Sequence, residues 1–131
     1  MEQSVLTEKQ KSKRPKFRFE DLEIWQLSVE IAEILFGLAD QLETRKLFRF
    51  AEQLRGAGIS MPNNIAEGSG SLSKKEFIQF LNFARRSTFE NANMVIIFNK
   101  QDYIEQEKSN LVLNKLDLLC RKITMFQRSL R

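Results

Sequence analysis

From Phe17 onward the apolar residues recur at alternating steps of three and four, the spacing that lines one face of an α-helix. A first helix is predicted over residues 21–42. Leu22, Trp25, Val29, Ala32, Phe36 and Ala39 form one stripe, with Ile24, Ile31, Leu35, Leu38 and Leu42 beside it. Leu27 and Ile34 widen the apolar band to roughly 220° at 100° per residue, beyond the stripe of an ordinary surface helix. That breadth predicts burial on two sides: the chain's own core and, at Leu27 and Ile34, a partner subunit. A second helix is predicted over residues 45–67, carried by Leu47, Ala51, Leu54, Gly58, Met61 and Ile65. Pro62 lies inside it, with no N–H to donate and a ring that presses on the carbonyl four residues back, so a kink is expected across residues 58–62. Gly56, Ala57 and Gly58 are small enough to admit a neighbouring helix, and Gly68 is expected to cap the end.

Gly68-Ser69-Gly70-Ser71 reads as the clearest loop, and Ser73-Lys74-Lys75-Glu76 as a capping box that starts a third helix reaching about Lys100. Its core face includes Phe77, Phe80, Leu81, Ala84, Ala92, Val95 and Phe98. After a short connection over residues 101–105, Val112, Leu116, Leu119, Ile123, Phe126 and Leu130 mark a fourth helix. Short loops between long amphipathic helices make neighbours antiparallel, so the predicted fold is an all-α, antiparallel up-down-up-down four-helix bundle. Residues 1–16 have only Val5 and Leu6 as large apolar groups and close on Pro15. They are expected to form a disordered basic N-terminal arm, with residues 17–131 as the bundle.

Charge sharpens this division. Residues 1–18 carry six cations (Lys9, Lys11, Lys13, Arg14, Lys16, Arg18) against two acids, Glu2 and Glu8. Residues 19–131 carry fifteen of each sign, so the net +4 belongs to residues 1–18. A basic arm beside a neutral body reaches a phosphate backbone or an acidic protein surface; the plainer reading is a solvated tail. On the third helix Lys75, Gln79, Asn82, Arg86, Asn93 and Lys100 share the face opposite the core.

Composition removes most catalytic chemistry. Without His there is no Ser–His–Asp triad, no Cys–His pair and no imidazole metal site. The di-iron centres of helical bundles use Glu-x-x-His pairs, so that option fails too. Cys120 is the sole cysteine, which excludes a disulfide framework or thiolate zinc site and suits a small residue flanking the core. No glycine-rich nucleotide loop is present. No catalytic residue, metal or cofactor is therefore expected. No apolar run nears the roughly 18 residues that span a bilayer, and the polar N-terminus lacks a secretory h-region, so a cytoplasmic protein with no membrane partner is expected.

Gln53, Ser60, Asn64 and Glu67 fall on one polar stripe of the second helix, with Ser87 and Glu90 of the third helix as candidate partners. Such a stripe serves either interhelical hydrogen bonding or a functional site. Residues 19–26 (FEDLEIWQ), residues 53–68, which include SMPNNIAEG, and residues 73–81 (SKKEFIQFL) resemble the 23S rRNA-intervening-sequence proteins, as does Ala84-x-x-Ser87-x-x-Glu90. The resemblance covers residues 17–130. Gln53, Ser60, Pro62, Asn64, Glu67, Gly68, Ser87 and Glu90 are the positions that carry its structural motif. Three sites depart from the family pattern: Arg86 stands where Gly is usual, Ser71 where Arg is usual, and Leu42-Glu43 where Phe-Pro is usual.

The resemblance implies a four-helix bundle, founding relatives encoded inside insertions in bacterial large-subunit rRNA genes, and no catalytic residues. The family is also similar to accessory proteins of diversity-generating retroelements, which form pentameric rings and bind a reverse transcriptase and nucleic acid. The expectation is thus a non-enzymatic homo-oligomer, a pentamer by resemblance, that associates with RNA or DNA. Its phosphate contacts would come from Lys9, Lys11, Lys13, Arg14, Lys16, Arg18, Lys75, Arg86 and Lys100. The alternative is an oligomeric scaffold that holds a protein partner and has no nucleic-acid role of its own.

Overall fold

The computed structural model describes Val5, Thr7 and residues 13–131. Lys9, Lys11 and most of the arm lie outside the described residues. A short 3₁₀ turn, Arg18–Asp21, leads into α1 (Glu23–Thr44), α2 (Phe48–Ser69), α3 (Lys74–Lys100) and α4 (Gln106–Ser129). No strand occurs among the described residues. Consecutive helices pack as antiparallel neighbours and α4 returns beside α1, which closes a four-helix bundle.

The predicted rhythm places the core. Ile31, Leu35 and Leu42 of α1, Leu54, Met61 and Ile65 of α2, Leu81 and Val95 of α3, and Val112, Leu119 and Ile123 of α4 are fully buried. On α1, however, the stripe facing the core is that of Ile24, Ile31, Leu35, Leu38 and Leu42. Trp25, Val29 and Phe36 are only half-buried. Leu27 and Ile34, expected against a partner subunit, pack on the chain's own core. Two helices flank α1, and both residues remain partly exposed. Gly58 of α2 abuts Leu35 and Ala32 on one side. On the other, Lys115 and Lys122 of α4 pair with Glu30 and Glu23 at 2.7 and 2.6 Å.

Both turns at the α1–α2 end are built without glycine. Lys46 (φ 62°) and Asp102 (φ 61°) adopt the left-handed conformation that terminates a helix. Leu47 N–H then bonds the Leu42 carbonyl at 2.9 Å, and Tyr103 N–H bonds that of Phe98 at 2.8 Å. At the opposite end Ser73 Oγ accepts from Glu76 N–H at 3.1 Å and starts α3 where the capping signal predicts.

One expectation for α2 changes, the role of Gly68. The helix is uninterrupted from Phe48 to Ser69 with Pro62 buried inside it. Gly68 is not the cap: the helix runs one residue further and Gly70 ends it with φ −82°. A Cβ on Gly68 would stand 2.7 Å from Phe80 Cβ and 2.9 Å from Phe77 Cδ1, so glycine is there to let α3 approach.

Candidate nucleic-acid interface

The antiparallel order gathers the start of α1, the end of α2, the start of α3 and the end of α4 at one end of the bundle. The N-terminal segment is fastened there. Arg14 grips Glu20 with both terminal nitrogens, at 2.9 and 2.5 Å, and Phe17 N–H donates to Glu20 Oε2 at 2.8 Å. Lys16 pairs with Asp21 at 2.6 Å, and Arg18 donates to the carbonyl of Ser69 at the end of α2. The Arg14 hydrogen bond, helped by the Phe17 amide, holds the Glu20 carboxyl down to a pKa of about 2. Arg14 and Lys16 are each raised by hydrogen bonding to their acidic partners.

At the same end of the bundle, Lys75, Ile78, Gln79 and Asn82 of α3 and Gln127 and Arg131 at the end of the chain line a groove of about 560 Å³, joined by Arg85. No acidic side chain lines it. Arg85 Nε and Nη2 donate to Asn82 Oδ1 at 3.3 and 3.1 Å, and Gln127 Nε2 donates to the Ile78 carbonyl at 3.1 Å, which ties α4 to α3. The groove therefore offers three cations and three side-chain amides, a set suited to phosphate oxygens.

This geometry divides the residues singled out from the sequence. Lys13, Arg14, Lys16, Arg18 and Lys75 belong to one end. Arg86 is exposed farther along α3, and Lys100 lies 25 residues from Lys75, about 38 Å at 1.5 Å per residue. Lys75 and Lys100 cannot belong to one compact site. Arg85 and Arg131 were missed. Arg85 sits three residues after Asn82 on the side that α4 covers, and only the position of α4 distinguishes it from Arg86.

The polar stripe of α2 also resolves. Ser87 Oγ donates to Ser60 Oγ at 2.8 Å. Asn64 Nδ2 donates to the Ser60 carbonyl at 2.8 Å and to Ser60 Oγ at 3.2 Å. Gln53, Glu67 and Glu90 are exposed and stand outside this network. Asn91, fully buried and not anticipated, donates from Nδ2 to the carbonyls of Ala57 and Ser87, both at 2.8 Å. Its Oδ1 is buried without a partner. These contacts lie inside the α2–α3 seam and fix how the two helices sit against each other.

A different surface is apolar. Phe89 and Ile96 on α3, and Leu111, Leu118 and Met125 on α4, are exposed at steps of seven residues. Among the described residues no group of three or more His, Cys, Asp or Glu side chains is placed to hold a metal. No helix among them is long and apolar enough to cross a membrane.

No curated protein matches the chain. The crystal structure of a protein of unknown function from the S23 ribosomal protein family of Bacteroides thetaiotaomicron is similar to it. The two share 23% identity over 79% of this chain and 97% of that one, with a TM-score of 0.76, a likeness of fold. The profile of the 23S rRNA-intervening sequence proteins matches residues 20–125, from the Glu20 clamp through the groove-bearing helices to the last turns of α4, and the chain belongs to that family.

Proposed function

We propose that this protein is a non-catalytic helical bundle that associates with RNA through phosphate contacts at the end of the bundle that carries the N-terminal segment, the start of α3 and the end of α4. The observation that carries the reading is the groove, in which Lys75, Arg85 and Arg131 converge with no acidic side chain among them. Arg131 and Arg85 are fork donors matched to phosphate oxygens, and Lys75 adds a point charge. Lys13 adds a cation at the same end of the bundle, and the sequence carries two more at Lys9 and Lys11.

Three groove contacts give a log–log salt slope near −2 on single strands, steeper with the arm. The test is fluorescence anisotropy with a labelled RNA between about 50 and 200 mM salt. Combining Lys75→Ala, Arg85→Ala and Arg131→Ala is expected to flatten the slope by about two units, and deleting residues 1–16 is expected to weaken binding several-fold with the bundle intact. Absence of RNA or DNA association at low salt refutes the reading.

The exposed heptad-spaced residues of α3 and α4 favour a second reading, in which the protein is a homo-oligomer that scaffolds a protein partner. Apolar positions repeating every seven residues form a seam along a helix and suit a facing helix of another copy. Leu118→Glu together with Met125→Glu is expected to lower the mass measured by sedimentation. A monomeric parent protein refutes this reading.

A further inference from the structure

The sole tryptophan and two phenylalanines form a short stack at the arm's root. Phe17 lies nearly parallel to Phe19, with centroids 5.7 Å apart and planes 19° from parallel, and Phe19 leans on Trp25 at 5.1 Å. Trp25 packs against the core. The outermost ring is left open: Phe17 is 56% exposed. Its backbone is not loose. The amide is held by Glu20, Glu20 is held by Arg14, and the Phe17 carbonyl accepts from Glu20 N–H at 3.1 Å. The exposed residues around it, Lys13, Arg14, Pro15, Lys16 and Arg18, include no other large apolar side chain. Over residues 13–21 four cations face two carboxylates, Glu20 and Asp21, which leaves two positive charges beside the ring.

An aromatic face held open among cations calls for a ligand with an apolar face and a nearby anion. A protein partner is the poorer fit. A stable protein interface covers about 800 Å² on each side. A half-exposed phenylalanine offers on the order of 100 Å², and none of the exposed residues beside it from Lys13 to Arg18 adds a large apolar side chain. One nucleobase needs one ring. We propose that Phe17 is a stacking platform for an unpaired base of single-stranded RNA, with Lys13, Arg14 and Lys16 placed to meet the adjoining phosphates. Duplex bases are already stacked on both faces and present no face to the ring, so the site selects single strands. The inference rests on the RNA reading above and adds to it the strandedness of the ligand.

The test uses the full chain with a labelled 15-nucleotide RNA of mixed sequence, alone and annealed to its complement. The single strand is expected to bind more tightly than the duplex. Phe17→Ala is expected to weaken single-strand binding at least about fivefold with little change in the salt slope, since a base–aromatic stack is lost and no phosphate contact is. Phe17→Trp is expected to retain the affinity, which separates loss of stacking from loss of structure. Trp25 emission is expected to change on binding in the parent, because Phe19 links it to the platform. If Phe17→Ala binds as the parent does, or if strand and duplex bind equally, the platform is overturned while the RNA reading stands. If neither form binds at low salt, both are overturned.

Discussion

Alanine substitution at the helical glycines should separate backbone propensity from packing. Ala is better than Gly in a helix by about 0.8–1.0 kcal/mol, wherever its methyl group has room. Gly56 is helical and exposed, and a Cβ there meets nothing within 4 Å, so Gly56→Ala should stabilise by most of that amount. At Gly58 the new methyl would stand 3.2 Å from Leu35 Cδ1, the end of a side chain that can yield by a few tenths of an ångström, and the gain should largely cancel. At Gly68 it would meet Phe80 Cβ at 2.7 Å and Phe77 Cδ1 at 2.9 Å. Phe80 Cβ is fixed to its backbone, so α3 itself must move. Overpacking costs about 1–3 kcal/mol, which outweighs the propensity gain and leaves Gly68→Ala net destabilising by on the order of 1–2 kcal/mol. Because the change is the same at all three sites, effects on the unfolded chain nearly cancel in the comparison. Urea denaturation of the three variants reads the order directly from the midpoints at constant m. Gly68→Ala as stable as Gly56→Ala would refute the close approach of α3 to α2.

Asn91→Ala removes two hydrogen bonds within the α2–α3 seam and should cost about 1–3 kcal/mol by urea denaturation, whereas Glu90→Ala on the exposed side should cost less than about 0.5 kcal/mol. The Glu20 carboxyl should titrate near pH 2 by carbon-detected NMR, and should move up toward the ordinary glutamate value in Arg14→Ala. The sign follows from the depressed pKa. The clamp's contribution is complete above the unfolded value near 4.3 and declines as pH falls toward 2. The Phe17–Phe19 stack should therefore loosen in acid before the core does, visible as a Trp25 emission change that precedes loss of helical circular dichroism.

The helices were legible because their stability rests on amphipathic faces whose period is written along the chain. The start of α3 was legible for a second reason: Ser73 caps through its own side chain, a local contact. What failed were signals with two physical meanings. Glycine marks both the end of a helix and a close approach, and only Phe77 and Phe80 across the seam decide that Gly68 is the latter. A broad apolar band signals either an outside partner or two inside neighbours, and Leu27 and Ile34 pack on the inside while staying partly exposed. The turns at Lys46 and Asp102 left no glycine to read. The groove was half legible. Lys75, Gln79 and Asn82 follow helical spacing, but the choice of Arg85 over Arg86 is a rotation of 100°, which needs the neighbouring helix to settle.

The arm shows why net charge alone misjudges what a surface presents. Composition assigns all of the surplus charge to residues 1–18, yet Arg14 and Lys16 each stand against a carboxylate and Arg18 against a carbonyl. These pairs are exposed, so a phosphate can replace a carboxylate at little cost, and their main effect is to place the cations and Phe17. Glu20→Ala tests this. The substitution adds one unit of positive charge, and long-range attraction alone predicts tighter RNA binding with a steeper salt dependence. It also removes the Arg14 grip and the acceptor for the Phe17 amide, which leaves the ring and its cations to be ordered at the moment of binding, a cost set against affinity. The expected outcome is weaker binding to single-stranded RNA at about 150 mM salt, where distant charge is screened within about 8 Å, and a smaller loss at low salt. Tighter binding at both salt concentrations would mean that charge, not the placed ring, governs the site.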